Sequence, residues 1–353
     1  MPCADGKPLI GWDIGGAHVK ACLLEGGKVR DVAQWAAPLW QGLAHLDAAI
    51  ASAACRWSEF GSAGHALTMT AEMIDLFPDR EAGVLGLSAH LAKRLGPELR
   101  FFAGSAEWPT VETSAAHWRG IASANWLATA HLVAAGLPTA LLIDIGSTTT
   151  DLIPIANSRP SPLGHSDADR LASGELVYLG VVRTPLCALT RRIAFAGREF
   201  NVMNEFFATT ADVFRLSAEL DPVCDQHPAA DGGDKSAAAS CRRLARMIGM
   251  DARDAEFDEW IGFAAGWRQV MIDEIASHLD RVVEAAALPA TPPLVAAGCG
   301  GFLVRELAMR SNRPWLPFHT VANLGPAAAG WADTCAPSVA VAMLFERWRQ
   351  TCG

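Results

Sequence analysis

Two aspartates stand at equivalent places in a repeated sequence pattern. Asp13 closes an apolar run and is followed by a pair of glycines, while Asp144 closes a second run and is followed by one glycine and four hydroxyl residues. Glycine turns present backbone N–H groups where no β-carbon keeps an anion away, as in many phosphate sites. Mg²⁺ is typically bound by one or two carboxylates together with substrate phosphate. The pattern therefore predicts phosphate binding with Mg²⁺ as cofactor, and Asp13 and Asp144 as its ligands or as a general base.

A third glycine-rich motif, at residues 298–301, lies between an apolar strand at 293–297 and a predicted helix at 302–310. A helix N-terminus favours negative charge because its first N–H groups have no partner within the helix. One glycine turn is weak evidence, since any hairpin can carry one, but three in this order favour a phosphate site. The predicted phosphate-binding residues are Gly15, Gly16, Lys20, Gly146, Ser147, Thr148, Thr149, Gly298, Gly300 and Gly301.

The elements that must position these residues follow from hydrophobic patterning. In both 9–24 and 140–156, an apolar run, a small-residue turn and a second apolar run predict a hairpin. The second region repeats the first, and an internal repeat of this kind predicts two α/β domains of the same topology. We place them at 1–138 and 139–353, the second with a mainly helical insertion at about 187–285.

Composition excludes several classes of protein. The chain has 353 residues, of which 51% are hydrophobic and 19% charged, so it is not intrinsically disordered. A net charge of −9 argues against nucleic-acid binding. No apolar run reaches the roughly 18 residues of a membrane helix, and no secretory signal is visible. Nine scattered cysteines without a CxxC pair predict reduced thiols in the cytoplasm. The sequence leaves open whether the protein forms a homodimer.

The order of the three motifs resembles that of the actin, sugar-kinase and heat-shock-70 superfamily. The resemblance implies a ribonuclease H-like fold with two domains and a cleft between them. It also implies that the first two motifs are phosphate loops on opposed domains and that the third lies beside an adenosine. The runs 13–20 and 144–151 are similar to those of the hydantoinase A and oxoprolinase branch.

Four further runs resemble a subfamily named for tetrahydromethanopterin-linked one-carbon transfer: 68–73, 102–104, 122–126 and 231–235. Its archaeal members build methanofuran by joining an aminomethylfuran methyl diphosphate to the phenol of γ-glutamyltyramine, with loss of diphosphate. The likeness spans nearly the whole chain. It implies a diphosphate-releasing transferase whose small-molecule partners are a furan diphosphate and a phenol, in methanofuran or methylofuran biosynthesis. Whether the acceptor is tyrosine, tyramine or a γ-glutamyl derivative stays open.

This chemistry assigns further roles. A phenol with an ordinary pKa near 10 needs a base, for which Asp144 or Asp13 is the first candidate and Asp151 a weaker one. Asp13 is also consistent with a turn cap, Lys20 with a surface residue and Arg183 with a structural ion pair. Asn125 falls within a predicted helix at 114–135 and is also consistent with a solvent-facing residue. The candidate substrate-binding residues are Glu72, Asn125, Arg183, Asp231, Asp234 and Lys235.

Two rival functions remain. An ATP-dependent kinase or amidohydrolase of the same superfamily would use ATP as its cofactor and contact adenosine through residues 298–301. A non-catalytic sensor or assembly factor would have kept the fold and lost turnover. The presence of both Asp13 and Asp144 argues against the second rival, because a relic site could have lost either.

Overall fold

The computed structural model describes residues 7–104 and 107–352. Over these residues the strands, in chain order, are β1 (Leu9–Ile14), β2 (His18–Glu25), β3 (Lys28–Ala36), β4 (Gly64–Met69), β5 (Arg100–Phe101), β6 (Ala140–Ile145), β7 (Thr150–Ala156), β8 (Arg159–Pro160), β9 (Leu176–Val177), β10 (Arg192–Phe195), β11 (Arg198–Asn201), β12 (Leu294–Ala297) and β13 (Trp315–Pro317). The α-helices are α1 (Ala44–Arg56), α2 (Arg80–Leu95), α3 (Ser114–Ile121), α4 (Asn125–Gly136), α5 (Asp167–Ser173), α6 (Thr210–Leu216), α7 (Ala237–Arg246), α8 (Phe257–Ala285), α9 (Gly301–Arg310), α10 (Phe318–Val321), α11 (Pro326–Thr334) and α12 (Ala336–Cys352).

The chain divides into two units. The first comprises the described residues up to Thr139, the short segment Ile155–Pro160 and the described residues from Pro317 onward. The second comprises Ala140–Pro154 and Ser161–Leu316. The first segment of the first unit ends at the boundary predicted near 138, but the residues from Pro317 onward, predicted to lie in the second domain, belong to the first unit.

The first unit is built on a five-stranded sheet in the order β3-β2-β1-β4-β5. The strands β1, β2 and β3 are antiparallel, whereas β4 runs parallel to β1 and β5 parallel to β4. Gly26 and Gly27, between β2 and β3, have φ of 57° and 72°, which a two-residue type I′ turn requires. One face of the sheet buries Trp12 and Ile14 in the main core of this unit.

Helix α12 covers the opposite face of this sheet, where it packs against β1, β2 and β4. A β-carbon at Gly11 would lie 2.4 Å from the carbonyl oxygen of Ser338 and 2.7 Å from the Cβ of Ala342. Val339 and Val341 are fully buried. This apolar contact explains why the C-terminal residues belong to the first unit and not, as predicted, to the second.

The second unit repeats the strand order of the first. Its sheet runs β13-β12-β6-β7, and β9 pairs with β7 beyond them. The order β9-β7-β6-β12-β13 therefore matches β3-β2-β1-β4-β5, as the repeat in the sequence predicts. As in the first unit, the strand that follows the crossover, β12, is parallel to the first hairpin strand, β6. The short β8 pairs with the last residues of β7, and these residues belong to the first unit.

The predicted insertion at about 187–285 contains α6, α7 and the long α8, as expected, but it also contains the hairpin β10–β11, which the sequence did not indicate. Phe195 of this hairpin stacks on Trp260 of α8, with ring centroids 4.7 Å apart. Phe263 and Trp267 extend the same cluster along the helix. The insertion therefore has an aromatic core of its own.

Within the described residues, no single helix combines the length and the hydropathy of a membrane span. One pair, Ala328–Thr334 with Ala336–Thr351, meets the criterion only when the two are taken together, and a bend of 103° separates them.

Candidate functional site

Both predicted phosphate loops are hairpin turns closed in the same way. In the first unit, the Gly15 N–H donates to the His18 carbonyl at 3.0 Å. In the second, the Gly146 N–H donates to the Thr149 carbonyl at 2.9 Å. The motifs that the sequence identified as repeats thus form equivalent turns at the ends of β1 and β6.

In the second unit, the second and third motifs meet. Asp144 pairs with Ala297 of the parallel strand β12, and Gly298 follows directly with φ of 80°. A β-carbon at Gly298 would lie 2.5 Å from Asp144 Oδ1 and 2.2 Å from the Ile145 carbonyl oxygen. The Gly300 N–H donates to that same carbonyl at 2.8 Å. Glycine at position 298 is therefore required for the carboxylate of Asp144 to occupy its place.

The residues that follow β9 contact the backbone of the second loop. The Ser147 carbonyl accepts hydrogen bonds from the N–H groups of Val182, at 3.2 Å, and Arg183, at 2.8 Å. A β-carbon at Gly180 would lie 2.3 Å from the backbone nitrogen of Thr148. Thr210 fixes Gly180 in turn by donating to its carbonyl at 2.7 Å. Gly180 was not among the residues predicted from the sequence, where its one signal is a glycine just beyond a short apolar strand.

Arg183 brings a positive charge to this loop. Its Nη1 donates to Thr148 Oγ1 at 3.2 Å, and the Ser147 and Thr148 hydroxyl oxygens lie 3.3 Å apart. Burial lowers the pKa of the Arg183 guanidinium, which means that its charge is poorly hydrated. A bound anion would offset that lost hydration. Of the candidate substrate residues, Arg183 is the one that the structure places beside a predicted phosphate loop in the second unit.

In the first unit, Asp13 lies in a row of polar side chains across the sheet. It is paired in register with Lys20 on β2 and with Thr68 on β4, so the three side chains share one face. Lys20 Nζ lies 3.8 Å from Asp13 Oδ2, and the Asp13 side chain is only 5% exposed. Lys20 therefore neutralises a buried carboxylate, and its predicted contact with phosphate stays a prediction.

The first loop lies against one of the runs that carry the subfamily resemblance: a β-carbon at Gly15 would lie 3.7 Å from Thr70 Oγ1. A β-carbon at Gly16 would lie 3.2 Å from a methyl group of Ile74. That run contacts a second one, since the buried carboxylate of Glu72 accepts a hydrogen bond from the Ser123 hydroxyl at 2.8 Å, and Arg80 donates to the same hydroxyl at 3.3 Å. Ser123 has φ of 51°, a left-handed conformation that non-glycine residues seldom adopt.

This strained residue interrupts the helix that the sequence predicted at 114–135. The structure has two helices there, α3 and α4, and Asn125 is the first residue of α4. Its Oδ1 accepts a hydrogen bond from the Trp126 N–H at 2.8 Å. Asn125 is thus at a helix start two residues from the Ser123–Glu72 contact and not, as the sequence suggested, inside a helix.

Asp151 and the candidate substrate-binding residues of the run 231–235 lie in ion-pair networks. Asp151 accepts a hydrogen bond at 2.6 Å from Arg170, which is 1% exposed and holds α5 against β7. Asp231 pairs with buried Arg243 at 3.1 Å, Lys235 pairs with Asp225 at 3.2 Å, and Asp234 pairs with Arg242 at 3.6 Å. Their roles as a base and as substrate ligands stay predictions that these contacts do not favour.

A family model for hydantoinase/oxoprolinase matches residues 63–336. The match includes the second phosphate loop and the third motif and spans most of the chain. The chain belongs to the hydantoinase/oxoprolinase family. The branch predicted from the runs 13–20 and 144–151 is thereby confirmed.

Two archaeal relatives carry the same name, (4-{4-[2-(γ-L-glutamylamino)ethyl]phenoxymethyl}furan-2-yl)methanamine synthase. The protein from Methanocaldococcus jannaschii is 27% identical over 343 residues, which covers 96% of this chain and 98% of the relative. The protein from Methanococcus vannielii is 32% identical over 169 residues, which covers 47% of this chain and 73% of the relative. The predicted resemblance to enzymes that build methanofuran is therefore confirmed.

Among solved structures, a nucleotide-free acetone carboxylase has a similar fold. The TM-score is 0.56 at 9% sequence identity, with 96% of this chain and 70% of the other covered. A glucokinase of the ROK family from Streptomyces griseus aligns with a TM-score of 0.48 at 13% identity. Together with the repeated strand order, the acetone carboxylase match confirms the predicted α/β fold class, with two units of the same strand order.

For this member of the hydantoinase/oxoprolinase family, the residues that can do chemistry lie in two groups. The group in the second unit joins Asp144, the Ser147 and Thr148 hydroxyls, Arg183 and Gly298. The first unit contributes the row of Lys20, Asp13 and Thr68 and, as a separate contact, the hydrogen-bonded pair of Glu72 and Ser123. A cavity of about 580 Å³ lies elsewhere in the second unit, between α7 and α8, and none of the predicted site residues line it.

Proposed function

We propose that this protein condenses an aminomethylfuran methyl diphosphate with a phenol to form an aryl ether and release diphosphate. Support comes from the two relatives named for that furan product, one of which matches over almost its entire length. The observation that carries the proposal is the grouping of Arg183, Thr148, Ser147 and Asp144 at one loop of the second unit. These groups match what a departing diphosphate needs.

The reaction breaks the bond between the methylene carbon and a diphosphate oxygen, and the electron pair leaves with that oxygen. Charge that develops on the oxygen is stabilised by donors already held in place, here the Arg183 guanidinium and the Ser147 and Thr148 hydroxyls. An ion pair 4 Å apart is worth about 1 kcal/mol in water but about 4 kcal/mol at an effective dielectric constant of 20. The partial burial of Arg183 therefore strengthens its effect on the leaving group.

The residues present fit the Mg²⁺ that we propose as cofactor. Asp144 and the loop hydroxyls offer oxygen ligands, which Mg²⁺ prefers. Within residues 7–104 and 107–352, no group of three or more histidine, cysteine, aspartate or glutamate side chains is arranged to hold a metal by itself. That donor set suits an ion bound jointly by protein and substrate phosphate. When bound, Mg²⁺ would supply further positive charge to the diphosphate.

The phenol loses its proton as its oxygen bonds to the methylene carbon. We propose Asp144 or Asp13 as the acceptor of that proton. The two roles of Asp144 are separable, because Asp144→Asn removes the base and only weakens metal binding. If Asp144 is mainly a metal ligand, a large excess of Mg²⁺ restores part of the rate of Asp144→Asn; if it is the base, added Mg²⁺ restores none.

The family match supports one rival, an ATP-dependent amidohydrolase or kinase. The decisive experiment incubates the purified protein with Mg²⁺ and the furan diphosphate, and offers tyrosine, tyramine and γ-glutamyltyramine in parallel, with and without ATP. Mass spectrometry detects the ether and a coupled assay detects diphosphate. Ether without ATP establishes the synthase and identifies its acceptor. ATP hydrolysis without ether formation would overturn the proposal in favour of the rival.

A further inference from the structure

One tyrosine is present in the 353 residues, and it stands at the edge of the second loop. Tyr178 directly follows β9, and its side chain is among the large apolar groups left exposed, at 60%. Val177 is paired with Thr150 of β7, so Tyr178 is the next residue in register with Thr149. Two residues further on, Gly180 contacts the backbone of Thr148. Tyr178 therefore lies between Val177, which pairs with β7, and Gly180, which contacts the loop.

The same residue borders the positive charge at this loop. Burial lowers the pKa of the Arg183 guanidinium, and the charge that Tyr178 carries when ionised acts in the opposite direction, so the two side chains lie within electrostatic range of each other. An exposed aromatic ring next to a poorly hydrated cation and two hydroxyls is a surface for a ligand that is anionic at one end and aromatic at the other. Inorganic phosphate has no aromatic part and would make no such contact with the Tyr178 ring.

We propose that Tyr178 binds the furan ring of the substrate and makes the site selective for ring-bearing methyl diphosphates. This inference rests on the proposed function. As the bond between the methylene carbon and the diphosphate oxygen breaks, positive charge spreads over the methylene and the furan. The face of an aromatic ring attracts such charge. The phenol oxygen of the acceptor then bonds to the methylene and its proton passes to the base, so Tyr178 is neither consumed nor ionised.

The test compares two analogues by calorimetry in the presence of Mg²⁺: the S-furfuryl ester and the S-methyl ester of thiodiphosphate, in which sulfur replaces the oxygen of the bond that breaks and so prevents turnover during the measurement. Ring stacking predicts that the wild-type protein binds the furfuryl ester about 3- to 10-fold more tightly. Tyr178→Phe keeps this preference, whereas Tyr178→Leu abolishes it and leaves the affinity for the methyl ester unchanged. Phe257→Leu is the matched control, because Phe257 is an exposed aromatic residue of the same unit at the start of α8.

A second readout uses the fact that the chain has no other tyrosine. Binding of the furfuryl ester should perturb the ultraviolet difference spectrum of the phenol, and binding of the methyl ester should perturb it less. Retention of the preference in Tyr178→Leu, or its loss in Tyr178→Phe, would overturn the assignment of the ring while leaving the proposed function intact. Failure of the wild-type protein to bind either ester would instead overturn the diphosphate site itself.

Discussion

The contact between Gly298 and Asp144 leaves no room for a side chain. Residue 298 has φ of 80°, and its β-carbon would overlap both Asp144 Oδ1 and the Ile145 carbonyl. We expect Gly298→Ala to displace the carboxylate and to lower kcat/KM for ether formation by about 100-fold, the scale of loss that a misplacement near 1 Å causes. Steady-state kinetics measures this directly.

Gly262→Ala provides the control for that variant. Gly262 lies on the exposed side of α8, and a β-carbon there meets nothing within 4 Å. Because alanine restricts the unfolded chain more than glycine does, this variant should keep full activity and gain about 0.5–1 kcal/mol of stability. If Gly298→Ala were as active as Gly262→Ala, the position of Asp144 would not matter for the reaction.

A second prediction concerns Arg183. Arg183→Met removes the guanidinium beside Thr148 and keeps much of the side-chain volume. We expect kcat/KM to fall by about 100- to 1000-fold, as for loss of one fixed donor to a developing anion. Most of the loss should appear in kcat. Arg253→Met is the control variant, because the Arg253 side chain is 84% exposed. The activity of this variant should equal that of the wild-type protein. An active Arg183→Met would remove the main support for the leaving-group site.

At the level of elements, the packing of α7 on α6 depends on one buried ion-pair network. Asp212 Oδ1 accepts from Arg243 Nε at 2.8 Å, from Arg215 Nη1 at 2.8 Å and from the Ser240 hydroxyl at 2.9 Å. Arg243 also binds Asp231, so the polar stretch before α7 is tied to the same network. Asp212 and Arg243 are fully buried.

Arg243→Met should therefore destabilise the protein by about 3 kcal/mol, because it leaves a buried carboxylate without one of its cations. Urea denaturation measures the change in the free energy of unfolding. Arg242→Met, on the exposed side of the same helix, should change it by less than about 0.5 kcal/mol.

The variant Asp231→Asn distinguishes a structural role of Asp231 from a role in substrate binding. If Asp231 only anchors the stretch before α7, the variant loses stability while KM for both substrates stays at the wild-type value. A rise in KM with unchanged stability would restore the substrate role that the sequence predicted for Asp231.

The sequence predicts these elements unequally well. The hairpins around Asp13 and Asp144 could be predicted because an apolar run, a small-residue turn and a second run are local patterns. The contact of Gly298 with Asp144 could be expected only in outline, since it joins residues more than 150 positions apart. Arg243 and Asp231 show the limit: in the sequence they are charges near a loop, and only packing makes one of them a buried partner of Asp212.

Stability of the first unit should depend on pH through one buried histidine. Trp12 Nε1 donates to His65 Nδ1 at 3.1 Å, which requires neutral imidazole, and burial lowers the pKa of His65 to about 4. The unfolded chain binds this proton near pH 6.5 and the folded chain only near pH 4. Stability is therefore full above pH 6.5 and falls as the pH drops to 4, by about 3 kcal/mol in all.

Chemical denaturation at a series of pH values measures this dependence. His65→Gln, which keeps an acceptor for Trp12 and cannot titrate, should show a shallower loss between pH 6.5 and 4. Parallel curves for the two proteins would show that other groups cause the acid sensitivity.

The first unit takes its central strands from one end of the chain and the helix that covers them from the other. A ribosome therefore releases β1, β2 and β4 long before α12 exists to lie on Gly11 and its neighbours. The second unit ends at Leu316 and has all its residues earlier. Since segments fold as they emerge, the second unit can mature first and the first unit last. A messenger RNA truncated near its 3′ end would yield a protein with a folded second unit and a first-unit sheet that α12 does not cover. Such an exposed sheet is a target for chaperones and proteases.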